Sequence, residues 1–219
     1  MMYFLFFPAS IIESSVFIIF TMCLFQFGRL SSYRKEIAIT ATILTTVSFI
    51  FTYFKIQEYS VFAQVILLVL FFSKLFNEKL LYSIVVTVSG YVSYIIIQLA
   101  LIKIETFYNL FSMSDVGAGF NSLAYINQLF SAIVFAAISL AIRKSEAGYG
   151  FTLMKRYPKY HLLFVVLSIL TTIGVLLLFC SFYSDKHSSI VYVYCGILFV
   201  AQILLSIFSI KQQKLEFGS

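Results

Sequence analysis

Glu13 is the one carboxylate that falls inside a long apolar run of this chain. An ionisable side chain at such a position points to a partner for a ligand cation or a neighbouring hydroxyl. A second use is equally local. Ser10-Ile11-Ile12-Glu13 has the spacing of a capping box, in which Ser10 and Glu13 satisfy the first free N–H groups of a helix starting just after Pro8. That use leaves Glu13 at the membrane surface, and the sequence leaves both uses open. Larger polar groups recur in other apolar runs: Gln64, Tyr94, Gln98, Asn127, Gln128 and Tyr194. With Glu13 they form the candidate ligand-binding set, because amides and phenols supply the few orienting hydrogen bonds that an apolar pocket needs.

Other chemistry is sparse. His161 and His187 lie in gaps on opposite sides of the predicted membrane, and neither has metal-ligand spacing to Cys, Asp or Glu. The three cysteines, Cys23, Cys180 and Cys195, are an odd number and make no disulfide framework. Gly117-Ala118-Gly119 has Ser122 where a final glycine belongs and no strand before it, so it is not a nucleotide site. A Cys–His nucleophile from His187 and Cys195 lacks an orienting third residue. No enzyme activity, metal or cofactor is expected of this chain.

The elements that carry these residues are apolar spans at about 9–28, 37–54, 56–73, 80–102, 123–142, 162–183 and 190–210. Each approaches the roughly 20 residues that cross a ~30 Å hydrocarbon layer. A hydrophobic fraction of 61%, with only 11% charged residues, excludes a soluble domain of 219 residues. The cations then fix an orientation. Arg29, Arg34, Lys35, Lys74, Lys79, Arg143, Lys144, Lys155, Arg156, Lys159, Lys211 and Lys214 fall in alternate gaps and the tail, against Lys55, Lys103 and Lys186 in the others. Cytoplasmic loops retain positive charge. The expected fold is therefore an all-α integral membrane protein, a seven-helix bundle with its N-terminus outside and its C-terminus cytoplasmic. The same charge accounts for the net +6 beside anionic lipid, and no nucleic-acid partner is implied. The first span has no cation before it and three after it, the pattern of an uncleaved anchor rather than a secretory signal.

Within the fourth span Ser83, Thr87, Gly90, Tyr91, Tyr94 and Gln98 fall within about 100° of arc. Such a stripe faces other helices rather than lipid. In the predicted topology Gln64, Gln98, Asn127, Gln128 and Tyr194 all lie towards the outer face, where they either line an outward-facing cavity or, as the alternative, reach headgroups and water at the interface. The outer connection 103–122 has an apolar first half that could lie in the interface as a short helix. The chain divides into a membrane domain over 1–214 and a tail over 215–219, Leu-Glu-Phe-Gly-Ser. That tail reads as a vector-encoded scar, with a natural tail as the alternative.

The opening Phe7-Pro8-Ala9-Ser10-Ile11-Ile12-Glu13-Ser14, an aromatic-rich first span and seven spans in about 210 residues carry a resemblance. The chain resembles the membrane sensor region of bacterial histidine kinases with GHKL-type ATPase domains, among them the Agr and Com peptide-pheromone receptors. The resemblance implies a homodimer in a bacterial plasma membrane that works in two-component, quorum-sensing signalling. It implies an extracellular peptide or amphipathic ligand, and an acid early in the first helix that Glu13 would match. It also implies a last helix running into a cytoplasmic kinase; nothing after Lys214 supplies a phospho-acceptor or ATP-site motif. The alternative is a small carrier of the SWEET type, which shares the topology but is usually rich in helix-breaking proline. An Agr-type membrane peptidase fits less well, since His161 has no cysteine near it.

Overall fold

The computed structural model describes residues 2–28, 30–56, 59–76, 80–108 and 122–145. The described residues are helical. They form α1 (Met2–Leu24), a single 3-10 turn (Leu30–Tyr33), α2 (Arg34–Tyr53), α3 (Ser60–Phe76), α4 (Leu80–Phe107) and α5 (Ser122–Ser145). Four stretches are long and apolar enough to cross a membrane: Leu5–Leu24, Leu30–Tyr53, Tyr82–Ile102 and Leu123–Ser145. α3, at 17 residues, reaches about 25 Å and is shorter than these. The last two predicted spans, 162–183 and 190–210, lie outside the described residues, as do Tyr194, both histidines and the outer-loop glycines.

α1 is the centre of the bundle. It packs most extensively on α5, then on α2, and it also touches α4; α3 bridges α2 and α4. The reason is compositional: α1 is strongly apolar with no marked polar face, which lets it pack against neighbours on several sides. Phe17, Ile18 and Met22 of α1 and Phe25 just after it meet Ile37, Ala41 and Leu44 of α2, Leu68 and Phe72 of α3, and Val86 of α4 in one buried cluster. A second cluster joins Phe6 and Ala9 to Tyr125, with Phe49 of α2 packed against it. The outer surface is also apolar: Ile39, Ile66, Ile133 and Leu140 are each at least 61% exposed. Polar groups on that surface close on their own helix. Thr42 and Thr46 donate to the carbonyls of Ala38 and Thr42, both at 2.8 Å. A helix facing hydrocarbon must satisfy its polar atoms internally, so this is the surface of a membrane protein.

Two helix ends depart from what composition leads one to expect. After α1, Phe27 N–H donates to Met22 at 2.9 Å and Gln26 N–H to Cys23 at 3.1 Å. After α2, Ile56 N–H donates to Phe51 at 3.0 Å and Lys55 N–H to Thr52 at 3.1 Å. Both are Schellman closures, which place one residue in the left-handed region. Glycine usually takes that place, yet here it falls to Gln26 (φ 51°) and Lys55 (φ 59°).

α1 and α4 cross closely at Gly90. A Cβ added there would lie 2.5 Å from Thr21 Oγ1 and 2.6 Å from its Cγ2. Glycine at this point lets the two backbones approach, as small residues do between membrane helices.

Candidate functional site

Helix α1 starts at Met2, so Pro8 lies inside it and Ser10 is buried in its middle. This corrects the capping-box reading. Phe6 and Ala9 pack against Tyr125 and Phe49, and that contact extends the helix N-terminally through the proline, whose missing N–H costs one intrahelical bond. The correction moves Glu13. It now lies about 12 Å into the apolar stretch Leu5–Leu24, near its midpoint rather than at the surface.

There Glu13 is partly buried and faces α4. Tyr94 Oη donates to its Oε1 at 2.5 Å, a separation typical of hydroxyl–carboxylate bonds. One turn earlier on α4, Tyr91 Oη donates to Gln64 Oε1 at 2.7 Å, and Gln64 Nε2 donates to Ser60 Oγ at 3.2 Å. Phe17 sets its edge against both tyrosines at 5.1 Å. Tyr94 stacks on Phe135 of α5 at 4.3 Å, and Phe135 also meets Phe20. The helical period explains the assembly. Tyr91 and Tyr94 are three residues apart on α4, so they lie side by side. Glu13 and Phe17 are four apart on α1, so acid and ring face the same pair. Four helices thus meet at one polar centre walled by aromatic rings.

A second acid, this one buried, lies at the C-terminal end of α4. Sequence reading gave Glu105 to the outer loop, whereas α4 runs on to Phe107 and Glu105 is 2% exposed. Its partner is Asn127 of α5, also 2% exposed. The amide orientation that satisfies both groups places Asn127 Nδ2 at 3.2 Å from each carboxylate oxygen. Ser131 Oγ lies 3.4 Å from the same amide. Burial pushes the Glu105 carboxyl above its usual range.

Of the seven candidate residues, Glu13 and Tyr94 are brought together directly. Gln64 joins the same centre through Tyr91, a residue the candidate set lacked. Asn127 belongs to the Glu105 pair. Gln98 and Gln128 each bury a side-chain oxygen that meets no partner among the described residues. Tyr194 lies outside the described residues. Glu105 was missed, although its position seven residues after Gln98 continues the α4 stripe by two turns. A cavity of about 370 Å³ lies at the opposite end of the bundle, lined by Cys23, Gln26 and Phe27 of the α1 terminus and by Ile142 and Arg143 of α5. Among the described residues no three His, Cys, Asp or Glu side chains are grouped to hold a metal ion.

Comparison with protein-family models, with curated proteins and with solved structures finds no match to this chain. What the fold and site define is a class: a protein whose described residues are helical, four of its helices long and apolar enough to cross a membrane, with an acid held near the middle of one of them.

Proposed function

We propose that this chain is a ligand-sensing transmembrane domain, oriented with its N-terminus outside, and that its sensing element is the Glu13 centre. The observation that carries the reading is the hydrogen bond from Tyr94 to Glu13 in the middle of an apolar span. Acids there are costly and are retained where they bind or switch. The centre ties α1 to α4 and neighbours the Tyr91–Gln64 link to α3, so a ligand group competing for Glu13 would alter the packing of three helices at once. A shift of that kind is how binding is passed along a bundle, by differential affinity for two helix arrangements. The proposed ligand is an amphipathic peptide or similar signal entering from the outer face. The proposed readout is a homodimer with a cytoplasmic kinase following the last span, in a bacterial plasma membrane.

The test is a fusion of the chain, through Lys214, to a kinase reporter in bacterial membranes exposed to fractionated culture medium. A response to a peptide fraction in the wild type, lost in Glu13→Gln at equal membrane abundance, is the expected result. A response that persists in Glu13→Gln contradicts the role given to this residue. An acid at mid-span also suits a small carrier, and uptake of solute by the purified chain in proteoliposomes would replace the receptor reading with that one.

A further inference from the structure

α4 carries polar groups on one face along its whole length. Counting 100° per residue from Ser83, the positions of Thr87, Tyr91, Tyr94, Gln98 and Glu105 fall within an arc of about 80°. From Ser83 to Glu105 the helix rises about 33 Å, close to the thickness of a hydrocarbon core. The two tyrosines and Glu105 have partners, as described. Ser83 Oγ, Thr87 Oγ1 and Gln98 Oε1 meet none among the described residues.

The hydroxyls are the informative pair, because Ser83 is 2% exposed and Thr87 is fully buried. Several buried helical Ser and Thr residues of this protein donate to the carbonyl four residues back, Thr21 to Phe17 at 3.0 Å, Ser93 to Ser89 at 2.8 Å and Ser139 to Phe135 at 2.7 Å, whereas Thr45 of α2 is buried with its hydroxyl open. Ser83 and Thr87 do not close in that way. A buried hydroxyl left open is costly unless something meets it, and in a polar seam the usual occupant is water. Charge points in the same direction. Glu13 and Glu105 are held by neutral groups, Tyr94 and Asn127. On the elements packed around them, Arg34, Lys35, Lys55, Lys74, Arg143 and Lys144 are all exposed, and the remaining described acid, Glu36, lies in the first turn of α2.

We propose that this face of α4 is a hydrated path that carries protons through the bundle, with Glu105 as the port at one end and Glu13 as the exchange site at mid-span. A hydronium at the port gives its proton to the Glu105 carboxylate and becomes water. The resulting acid passes the proton to water held by Gln98 and returns to carboxylate. That water passes it on to the Glu13 carboxylate, which Tyr94 keeps in line. Glu13 then returns to carboxylate as its proton passes through water to the Thr87 hydroxyl. Thr87 and Ser83 each accept one proton as they release their own, and Ser83 releases its proton to water at the N-terminal end of α4. Only O–H bonds form and break, and water is the sole co-reactant. The path does not depend on the receptor reading.

Two measurements on the full chain in lipid vesicles test it. With Cys23, Cys180 and Cys195 changed to serine, Ser83→Cys, Thr87→Cys and Gln98→Cys are treated with a small hydrophilic thiol reagent. Each should react roughly tenfold faster than Ile133→Cys on the apolar surface, the factor that one net hydrogen bond's worth of access corresponds to. Vesicles holding the wild type should dissipate an imposed pH gradient faster than protein-free vesicles. Glu13→Gln should abolish the difference and Glu13→Asp should keep it, with helix content unchanged by circular dichroism. Labelling as slow as at Ile133 means dry packing and overturns the path. Labelling without a proton flux that depends on Glu13 overturns it as well.

Discussion

Replacing Gly90 by alanine puts the α1–α4 crossing to the test. The new methyl group would lie 2.5 Å from Thr21 Oγ1 and 2.6 Å from Cγ2, about 1 Å inside ordinary contact. Thr21 cannot turn aside without loss, because it is fully buried and its hydroxyl donates to Phe17 at 3.0 Å. Overpacking of this kind costs about 1–3 kcal/mol, against a gain of about 1 kcal/mol from alanine's better helix propensity. The net expectation is a loss of up to about 2 kcal/mol. Unfolding of the purified chain in mixed micelles, followed by circular dichroism, would measure it. Thr21→Ala removes both clashing atoms and leaves only a Cβ at 3.1 Å, so the double variant should recover stability relative to Gly90→Ala alone. Gly90→Ala at or above wild-type stability, with no interaction between the two sites, would refute the close crossing.

Two further outcomes follow from local geometry. Lys55→Gly relieves a left-handed backbone at φ 59° on an exposed residue and should raise stability by about 1 kcal/mol in the same unfolding assay. Glu105→Gln should change the pH dependence of unfolding. Burial raises the folded-state value of this carboxyl, so its contribution is full below the ordinary carboxyl range and is lost as pH rises through the raised value. The variant should lack that decline, and an unchanged stability–pH profile would contradict the burial.

How far the sequence discloses this arrangement depends on which residues are asked. The five predicted spans that fall within the described residues lie on helices α1–α5, because long apolar runs leave few alternatives, and four of those helices, α3 excepted, are long and apolar enough to cross a membrane. The α4 stripe was legible for the same reason, since polar residues at helical spacing must find protein rather than hydrocarbon. Ser83, Thr87 and Gly90 are indeed buried. Pro8 misled, because proline reads as a boundary while Phe6 and Ala9 hold the helix together through it. Glu105 misled in the opposite sense. Charge at the end of a span reads as loop, and only the position of Asn127 on a different helix makes that acid a buried one. Gln26 and Lys55 gave no signal, since neither is a glycine. The joining of Glu13 to Tyr94 spans 81 residues of sequence and needs the α1–α4 crossing, which no local pattern encodes.

That joining is best measured by a double-mutant cycle on Glu13→Gln and Tyr94→Phe, read as unfolding free energy of the chain in bicelles. A hydrogen bond from Tyr94 to a partly buried carboxylate should appear as a coupling of about 1–2 kcal/mol, at the upper end of interhelical hydrogen bonds in membranes. Strictly additive effects would show that the two side chains do not meet, and the mid-span centre would then have no basis.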